Sequence, residues 1–577
     1  MINRKTTRRR IYITQCFFFV TFFFLCIRAI FIQIFPSSEK LLKNIATQQY
    51  QSNIKLSAYR GTIYDHRHMP LAISIKTPSI AVNPKVFNPN SHQIAVLQKI
   101  LGTSKKRILT ASKKNNYFAW LKRKIPHQAS AKIKKLDIKG MHFLLEPARY
   151  YPGGSAASQV IGYVGTDNFG LLGLEQKYDK TLQGASSKII SLKDAHGQQI
   201  LMDSNLATPE QTGHNLILTL DKVIQEITED ALKRGLNKSA AKKGFAIVMD
   251  PHTGRILAIA NHPSFNPNNP SSLNNFDHTR NLAVSERFEP GSVMKPFIIA
   301  QAFEHRTTSP FDIHNCEKNG RYKVSPRNFI HDDHPKEFLT TEEVLINSSN
   351  ICTFKIAEVL GADKVFASLK IFGFSNPDLQ LNLPGVSFGS VSHWKSWSPI
   401  RFANISFGQG LLTTGVEIVK AYSVIANGGH LVNPYLVERI ETATGETLKD
   451  FSPIIKRNVI SKETSAQLKV ILKKVVQLGT AKRARSSLYS TAGKTGTAEK
   501  IDPKTKAYSQ TKRIASFAGF SPVQDPHLVA YVLLDEPGKK PYYGGLWAAP
   551  VFREIIEKSM RYLNVKSDVI DKRNRIL

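Results

Sequence analysis

The sequence is poor in sulfur and in acid. Its 577 residues include four cysteines, seven methionines and four tryptophans. No two cysteines stand as a CxxC pair, so neither a zinc knuckle nor a disulfide framework is indicated. Cys16 and Cys26 lie in the apolar N-terminal stretch. Cys316 and Cys352 could pair in an oxidising compartment, but buried unpaired thiols are commoner and are the expectation here. Acids number 44 against 79 Lys and Arg, a formal charge of +35. In a cytosolic protein that balance would suggest nucleic acid as partner; the N-terminus points away from the cytosol. Internal repeats and low-complexity segments are absent, which excludes solenoid architectures. Hydrophobic residues at 42% and charged ones at 21% are ordinary for globular domains, and the length predicts two or more folded units.

The one long apolar run is at the start. Residues 1–10 carry Arg4, Lys5, Arg8, Arg9 and Arg10 with no acid, and residues 11–35 are Phe-rich, interrupted by Gln15, Arg28 and Gln33. About 20 such residues span a bilayer. No small-x-small cleavage site follows, so a retained anchor is expected rather than a signal peptide. The basic flank puts residues 1–10 in the cytoplasm and the rest of the chain outside. Arg28 is costly within a bilayer and could snorkel or meet a partner helix.

Beyond the anchor, short strand-like runs alternate with polar turns over 40–230. Between Lys99 and Lys139 there are thirteen Lys or Arg and one acid, Asp137. A solvated surface is the expected state of this block; attraction to an anionic surface is its functional alternative. From about residue 243 the pattern changes. Gly244–Asp250 reads as a buried strand, 251–254 as a turn and Arg255–Ala260 as the returning strand. Leu468, Ile471, Leu472 and Val475 put one apolar face on a helix over Ser461–Leu478. Strands are expected at Ser490–Ala498, Ile514–Phe520 and Leu528–Asp535, and a closing helix at Ala549–Tyr562. Two strands, a long helical middle and three closing strands predict an antiparallel sheet flanked by helices.

Three short motifs carry chemistry. In Ser292-Val293-Met294-Lys295, a helix beginning near Ser292 stacks the hydroxyl and the amine one turn apart. Serine needs a base within hydrogen-bond reach, and lysine is one only if burial or a neighbouring cation lowers its pKa. Ser348-Ser349-Asn350 follows a helix with a capping-box start, Thr340 with Glu343, and can turn a hydroxyl and a carboxamide into one cleft. Lys494-Thr495-Gly496-Thr497 sits in the first closing strand, where an interior Gly implies close approach of another backbone or a ligand. Its cation suits a carboxylate and would help depress the pKa of Lys295. Each motif alone is weak: a surface Ser and Lys, a plain turn, a weakened strand.

Together, in this order and spaced 56 and 146 residues apart, they resemble the signature of penicillin-binding proteins and serine β-lactamases. Arg60-Gly61-Thr62-Ile63-Tyr64-Asp65, Arg149-Tyr150-Tyr151-Pro152, Ile161–Gly165 and Gly173-Leu174-Glu175 are similar to class B pedestal motifs, read as turns and Arg–carboxylate pairs. Tyr542-Tyr543-Gly544-Gly545 with Ala548–Phe552 is similar to division-specific, FtsI-type members. The resemblance implies a cytoplasmic tail (1–10), an anchor (11–35), a mixed, β-rich pedestal (36–230), an α+β penicillin-binding transpeptidase domain on a five-stranded antiparallel sheet (231–565) and a basic tail (566–577). It speaks against a bifunctional class A enzyme and against an added C-terminal PASTA domain.

The activity implied is peptidoglycan D,D-transpeptidation. Ser292 is the nucleophile, Lys295 the base and Ser348 the proton relay. Asn350, Lys494, Thr495, Gly496 and Thr497 hold the donor stem peptide, and the N–H groups of Ser292 and Thr497 form the oxyanion hole. No metal or organic cofactor is implied. Implied partners are stem peptides, β-lactams, the membrane, a SEDS-type glycosyltransferase and divisome proteins. An elongation-type enzyme, a β-lactamase or sensor, and an inactive division scaffold are the alternatives. Leu383-Pro384-Gly385-Val386 and Ala156-Ala157-Ser158 depart from common family forms. Asp378-Leu379-Gln380-Leu381-Asn382 has the spacing of a β-lactamase deacylation element with a shorter acid, and reads as a loop.

Overall fold

The computed structural model describes residues 4–34, 51–56, 58–113, 118–184, 187–193, 199–200, 212–273, 275–377, 381–502, 505 and 507–569. Asp378, Leu379 and Gln380, and the basic tail from residue 570, lie outside them. The N-terminal helix α1 (Arg4–Ile34) has 31 residues, about 46 Å at ~1.5 Å per residue. Among the described residues it is the helix long and apolar enough to cross a membrane. Its phenylalanines are exposed on every side, which suits lipid as surroundings rather than water.

The chain divides into two compact units. The first comprises Met1–Ala58, Lys76–Ala148 and Ala185–Gln211. Its core gathers Ile80, Leu97, Ile108, Leu121 and Ile133. The basic block, expected as strands and turns, keeps one short strand, Ala119–Lys122, and also carries helix: the end of Ser91–Leu101, then Lys105–Ser112 and His127–Lys134. Its few apolar residues recur at three- and four-residue spacing and face inward, while Lys99, Lys105, Lys106, Arg107 and Lys132 are exposed.

The second unit comprises Tyr59–Ile75, Arg149–Gly184 and Thr212–Leu577. Five strands, β1 (Lys243–Met249), β2 (Ile256–His262), β3 (Ala492–Ile501), β4 (Tyr508–Ser521) and β5 (Leu528–Asp535), form one sheet in the order β2-β1-β5-β4-β3. Every pairing is antiparallel. The eight residues of β5 are all buried, the state of a central strand covered on both faces. Helices α2 (Lys222–Ser239) and α8 (Gly544–Tyr562) pack on one face; α6 (Gly415–Ala426) and α7 (Lys462–Gln477) pack on the other. Between β2 and α6 in sequence lie α3 (Lys295–Glu304), α4 (Thr341–Asn347) and α5 (Asn350–Leu360). The capping box is present on α4: Thr340 accepts from the Glu343 N–H and Glu343 accepts in return.

Three local expectations need correction. Ser292 lies not in an α-helix but in a 3₁₀ turn, Gly291–Met294, with α3 starting at Lys295. The tighter turn keeps residues 292 and 295 aligned, because i and i+3 eclipse at three residues per turn. Helix α8 begins at Gly544, ahead of the expected start at Ala549, with Pro550 inside it. Cys316 and Cys352, expected as free thiols, are joined in a disulfide with Cα atoms 5.1 Å apart. Cys352 sits in the first turn of α5 and Cys316 just past the strand Ile313–Asn315. The intervening segment folds back so that residues 36 apart in sequence meet.

The pedestal-type motifs form a buried ionic cluster within the second unit. Glu175, fully buried, accepts from Arg60 Nε (2.9 Å), Arg60 Nη2 (2.7 Å) and Arg149 Nε (2.6 Å), and Arg60 Nη1 reaches Asp179 at 2.6 Å. Removing one partner from such a cluster leaves charge buried without compensation. Glu175→Ala is therefore expected to cost ~3–5 kcal/mol, read as a lower denaturant midpoint. An unchanged midpoint would show that water takes the carboxylate's place.

Candidate active site

The nucleophile candidate is positioned by backbone contacts on both sides. Gly291, at φ +62°, donates its N–H to Gly408 O at 2.9 Å, and the buried Tyr422 hydroxyl holds Val293 O at 3.0 Å. Gly496 explains itself in the same contact. A Cβ there would come within 2.4 Å of Ser516 Oγ on the paired strand, 3.0 Å of Pro290 O and 3.1 Å of Val293 Cγ1, so both the neighbouring strand and the segment of the Ser292 turn approach closely. Gly496 packs the strand against this turn.

Ser292, Ser348, Asn350, Thr495 and Thr497 line one cleft of about 1160 Å³. Lys295 and Lys494 are fully buried beneath its floor. Lys295 Nζ lies 2.6 Å from Ser348 O, 2.7 Å from Asn350 Oδ1 and 3.2 Å from Ser348 Oγ. Lys494 Nζ donates to the same Ser348 Oγ at 2.8 Å. Ser348 thus stands between two lysines. It adopts φ +61° as the C-cap of α4, a left-handed conformation costing a non-glycine residue about 1 kcal/mol or more. That turn directs both its carbonyl and its hydroxyl at Lys295. The Ser292 hydroxyl has no hydrogen-bond partner among the described residues.

Burial is the main influence on both amines. It pulls Lys295 down to about 7, while Asp332 and Asp333 work in the opposite direction. Lys494 is lowered well below its ordinary value by burial and further by the charge of Lys295. A neutral Lys295 has two N–H bonds for its two pure acceptors, Ser348 O and Asn350 Oδ1, and a lone pair left to accept a proton.

Sequence reasoning missed several supports. Asp332 caps α5: its carboxylate accepts from the Asn350 N–H (2.5 Å), the Ile351 N–H (3.1 Å) and the Ser349 hydroxyl (2.5 Å). Asn350 Nδ2 donates to His331 O at 2.8 Å, so both ends of this carboxamide are held within the protein. Thr480 Oγ1 lies 2.8 Å from Thr495 Oγ1, and the Gly544 N–H donates to Thr497 Oγ1 at 3.2 Å. Nothing local in the sequence marks Asp332, which stands 18 positions before the residue whose N–H it accepts.

Strand β3 is at the edge of the sheet, and the cleft runs along it. An edge strand presents unpaired backbone groups to which an extended peptide can add.

This chain matches the family model for the penicillin binding protein transpeptidase domain over residues 244–557 and that for the penicillin-binding protein dimerisation domain over 55–218. It is 33% identical over 577 residues to stage V sporulation protein D of Bacillus subtilis, covering 98% of this chain and 87% of that protein. It is 31% identical over 578 residues to the peptidoglycan D,D-transpeptidase FtsI of Buchnera aphidicola subsp. Baizongia pistaciae, covering 98% and 97%, and 30% identical over 525 residues to Escherichia coli FtsI, covering 89% and 86%. Among solved structures, penicillin binding protein 3 of Mycobacterium tuberculosis complexed with aztreonam matches with a TM-score of 0.69 at 27% identity, covering 89% of this chain and 98% of that one. With the two-domain order, the antiparallel sheet and the cleft all in agreement, the chain belongs to the penicillin-binding protein family, as an FtsI-type peptidoglycan D,D-transpeptidase with a dimerisation-type domain.

Proposed function

We propose that this chain cross-links septal peptidoglycan through an acyl-enzyme on Ser292 and is acylated there by β-lactams. The observation that carries the reading is the buried Lys295–Ser348–Lys494 arrangement under the cleft that Ser292 lines. Ser292 Oγ attacks the carbonyl between the two terminal D-alanines of a donor stem, and Lys295 takes its proton. The N–H groups of Ser292 and Thr497 receive the oxyanion. When the C–N bond breaks, the leaving D-alanine amine takes a proton relayed by Ser348. Lys494 and Thr495 bind the donor's terminal carboxylate. Asn350 fixes Lys295 through Oδ1 and offers to the donor peptide the second N–H of Nδ2, the one not given to His331 O, while Gly496 keeps strand and nucleophile turn in contact. The amine of a neighbouring stem then attacks the ester and gives its proton to Lys295, which passes one to Ser292 Oγ as the ester C–O bond breaks, leaving a new amide and free Ser292.

By this reading residues 1–10 lie in the cytoplasm and the catalytic domain outside the inner membrane, an orientation that the basic flank of the anchor supports. Arg28, inside the apolar span, is a contact for the helices of a SEDS-type glycosyltransferase or another divisome protein.

The test separates this enzyme from a β-lactamase. A β-lactamase needs a second base poised over water, and without one hydrolysis lacks an acceleration of about 10²–10⁴-fold. Intact-mass spectrometry after removal of free penicillin should show the penicilloyl adduct persisting for many minutes. Loss within seconds, slowed by Asp378→Asn, would identify a β-lactamase instead.

A further inference from the structure

Three acids line the Ser292 cleft among the described residues: Asp332, Asp333 and Glu499. Two are committed to the protein. Asp332 caps α5, and Glu499 pairs with Arg513 at 2.7 Å. Asp333 is exposed and makes no hydrogen bond or ion pair with a described residue. Its place is nonetheless fixed by its neighbours. Asp332 accepts from the Asn350 and Ile351 N–H groups and gives its own N–H to Gly320 O at 3.1 Å. His331 O holds Asn350 Nδ2 at 2.8 Å, and Asn350 Oδ1 lies 2.7 Å from Lys295 Nζ. Asp333 is thus carried on the segment bound to the carboxamide that touches the base. Its charge is felt there: burial lowers Lys295, and Asp333 is one of the two carboxylates that oppose the shift.

The unpaired cations of the cleft attend β3 instead. Lys482 and Arg483 follow Thr480, which bonds Thr495, and Lys540 stands four residues before Gly544, whose N–H donates to Thr497 Oγ1. None of the three forms an ion pair with a described residue, Asp333 included. They stand where an anionic donor lies along the strand. The second substrate has the opposite charge. A primary alkylamine is protonated near neutral pH, as a lysine side chain is, and a free carboxylate in the cleft is the group that attracts it.

We propose, on the basis of the Ser292 acyl-enzyme described above, that Asp333 is the acceptor-binding residue, its carboxylate receiving the ammonium of the incoming primary amine beside the ester. The ammonium gives one proton to water and attacks as the neutral amine; the second proton leaves through Lys295. Asp333 stabilises the acceptor before the first proton is lost, so it contributes to capture and not to the chemical step.

The test separates the two half-reactions in the full-length protein in neutral detergent. A thioester of N-benzoyl-D-alanine supplies the acyl group, thiol release reports acylation of Ser292, and the products formed with D-alanine or hydroxylamine report aminolysis. D-alanine is the leaving group of the donor, so it returns along the same path, and it arrives as an ammonium. Hydroxylamine also attacks esters but is uncharged near neutral pH. Asp333→Asn should raise the KM for D-alanine about fivefold, the upper end for an ion pair open to solvent, without lowering kcat or changing the KM for hydroxylamine. Asp333→Glu should restore most of the affinity, and the gap should narrow at high salt. Thiol release and penicillin labelling involve no acceptor and should not slow. An unchanged KM for D-alanine, an equal rise for hydroxylamine, or slowed acylation in Asp333→Asn would each overturn the assignment. Thiol release that persists in Ser292→Ala would instead sink the acyl-enzyme, and this role with it.

Discussion

Ser292→Ala is expected to abolish covalent labelling by fluorescent penicillin outright, with the folded structure retained. The ester forms on Oγ alone, so no residual route through this residue remains. The hydroxyl makes no hydrogen bond to a described residue, and substitutions away from packed or bonded features usually stay within about 0.5 kcal/mol. Unchanged thermal unfolding should therefore accompany complete loss of label. Labelling of the variant at the rate of the parent protein would remove Ser292 from the mechanism.

Lys295→Ala should be nearly as severe, lowering the second-order acylation rate by about 10²–10⁴-fold, the usual contribution of a positioned general base. The pH dependence gives an independent check on the unaltered protein. Lys295 is drawn down to about 7 by burial, and a lysine is a base only when neutral. The acylation rate should rise as pH increases through about 7 and level off above it. Because Lys295 and Lys494 share Ser348, the midpoint belongs to the pair rather than to either residue. A rate independent of pH between 5.5 and 9, or full acylation in the alanine variant, would require another base.

The parts of this enzyme that sequence patterning reveals are those governed by short-range rules. The run Leu528–Asp535 reads as a strand because every side chain in it meets a packed layer, and the Thr340–Glu343 capping box is a local reciprocal bond. The three motifs were legible because their chemistry needs particular residue types at particular spacings. Asp332 was not, since its role is to meet a helix N-terminus made by residues 18 positions later. The Cys316–Cys352 bridge was missed for the same reason: its geometry depends on how the intervening segment folds back. The helices of the basic block escaped notice because lysine dominates their surfaces, leaving only a few apolar residues to mark the inward face. Gly496 shows the reverse case, in which a residue type marked a close approach correctly and the structure supplied the neighbour.

The order of strands has a consequence for how the protein is made. Lys243 of β1 pairs with Asp535 of β5, so two neighbouring inner strands of the sheet are separated by the chain from residue 250 to residue 527. Ser292, Lys295 and Ser348 emerge long before the partner that completes their platform. Closing a loop of that length precedes any reward from the contacts it allows, which makes such topologies slow to fold. Until the last strand arrives, β1 and β2 expose apolar faces and an unpaired edge. A chain interrupted between residues 296 and 528 would carry the nucleophile and its base but lack β5, which links β1 to β4. Catalytic competence therefore comes late in synthesis, and a truncated chain is an aggregation hazard rather than a partly working enzyme.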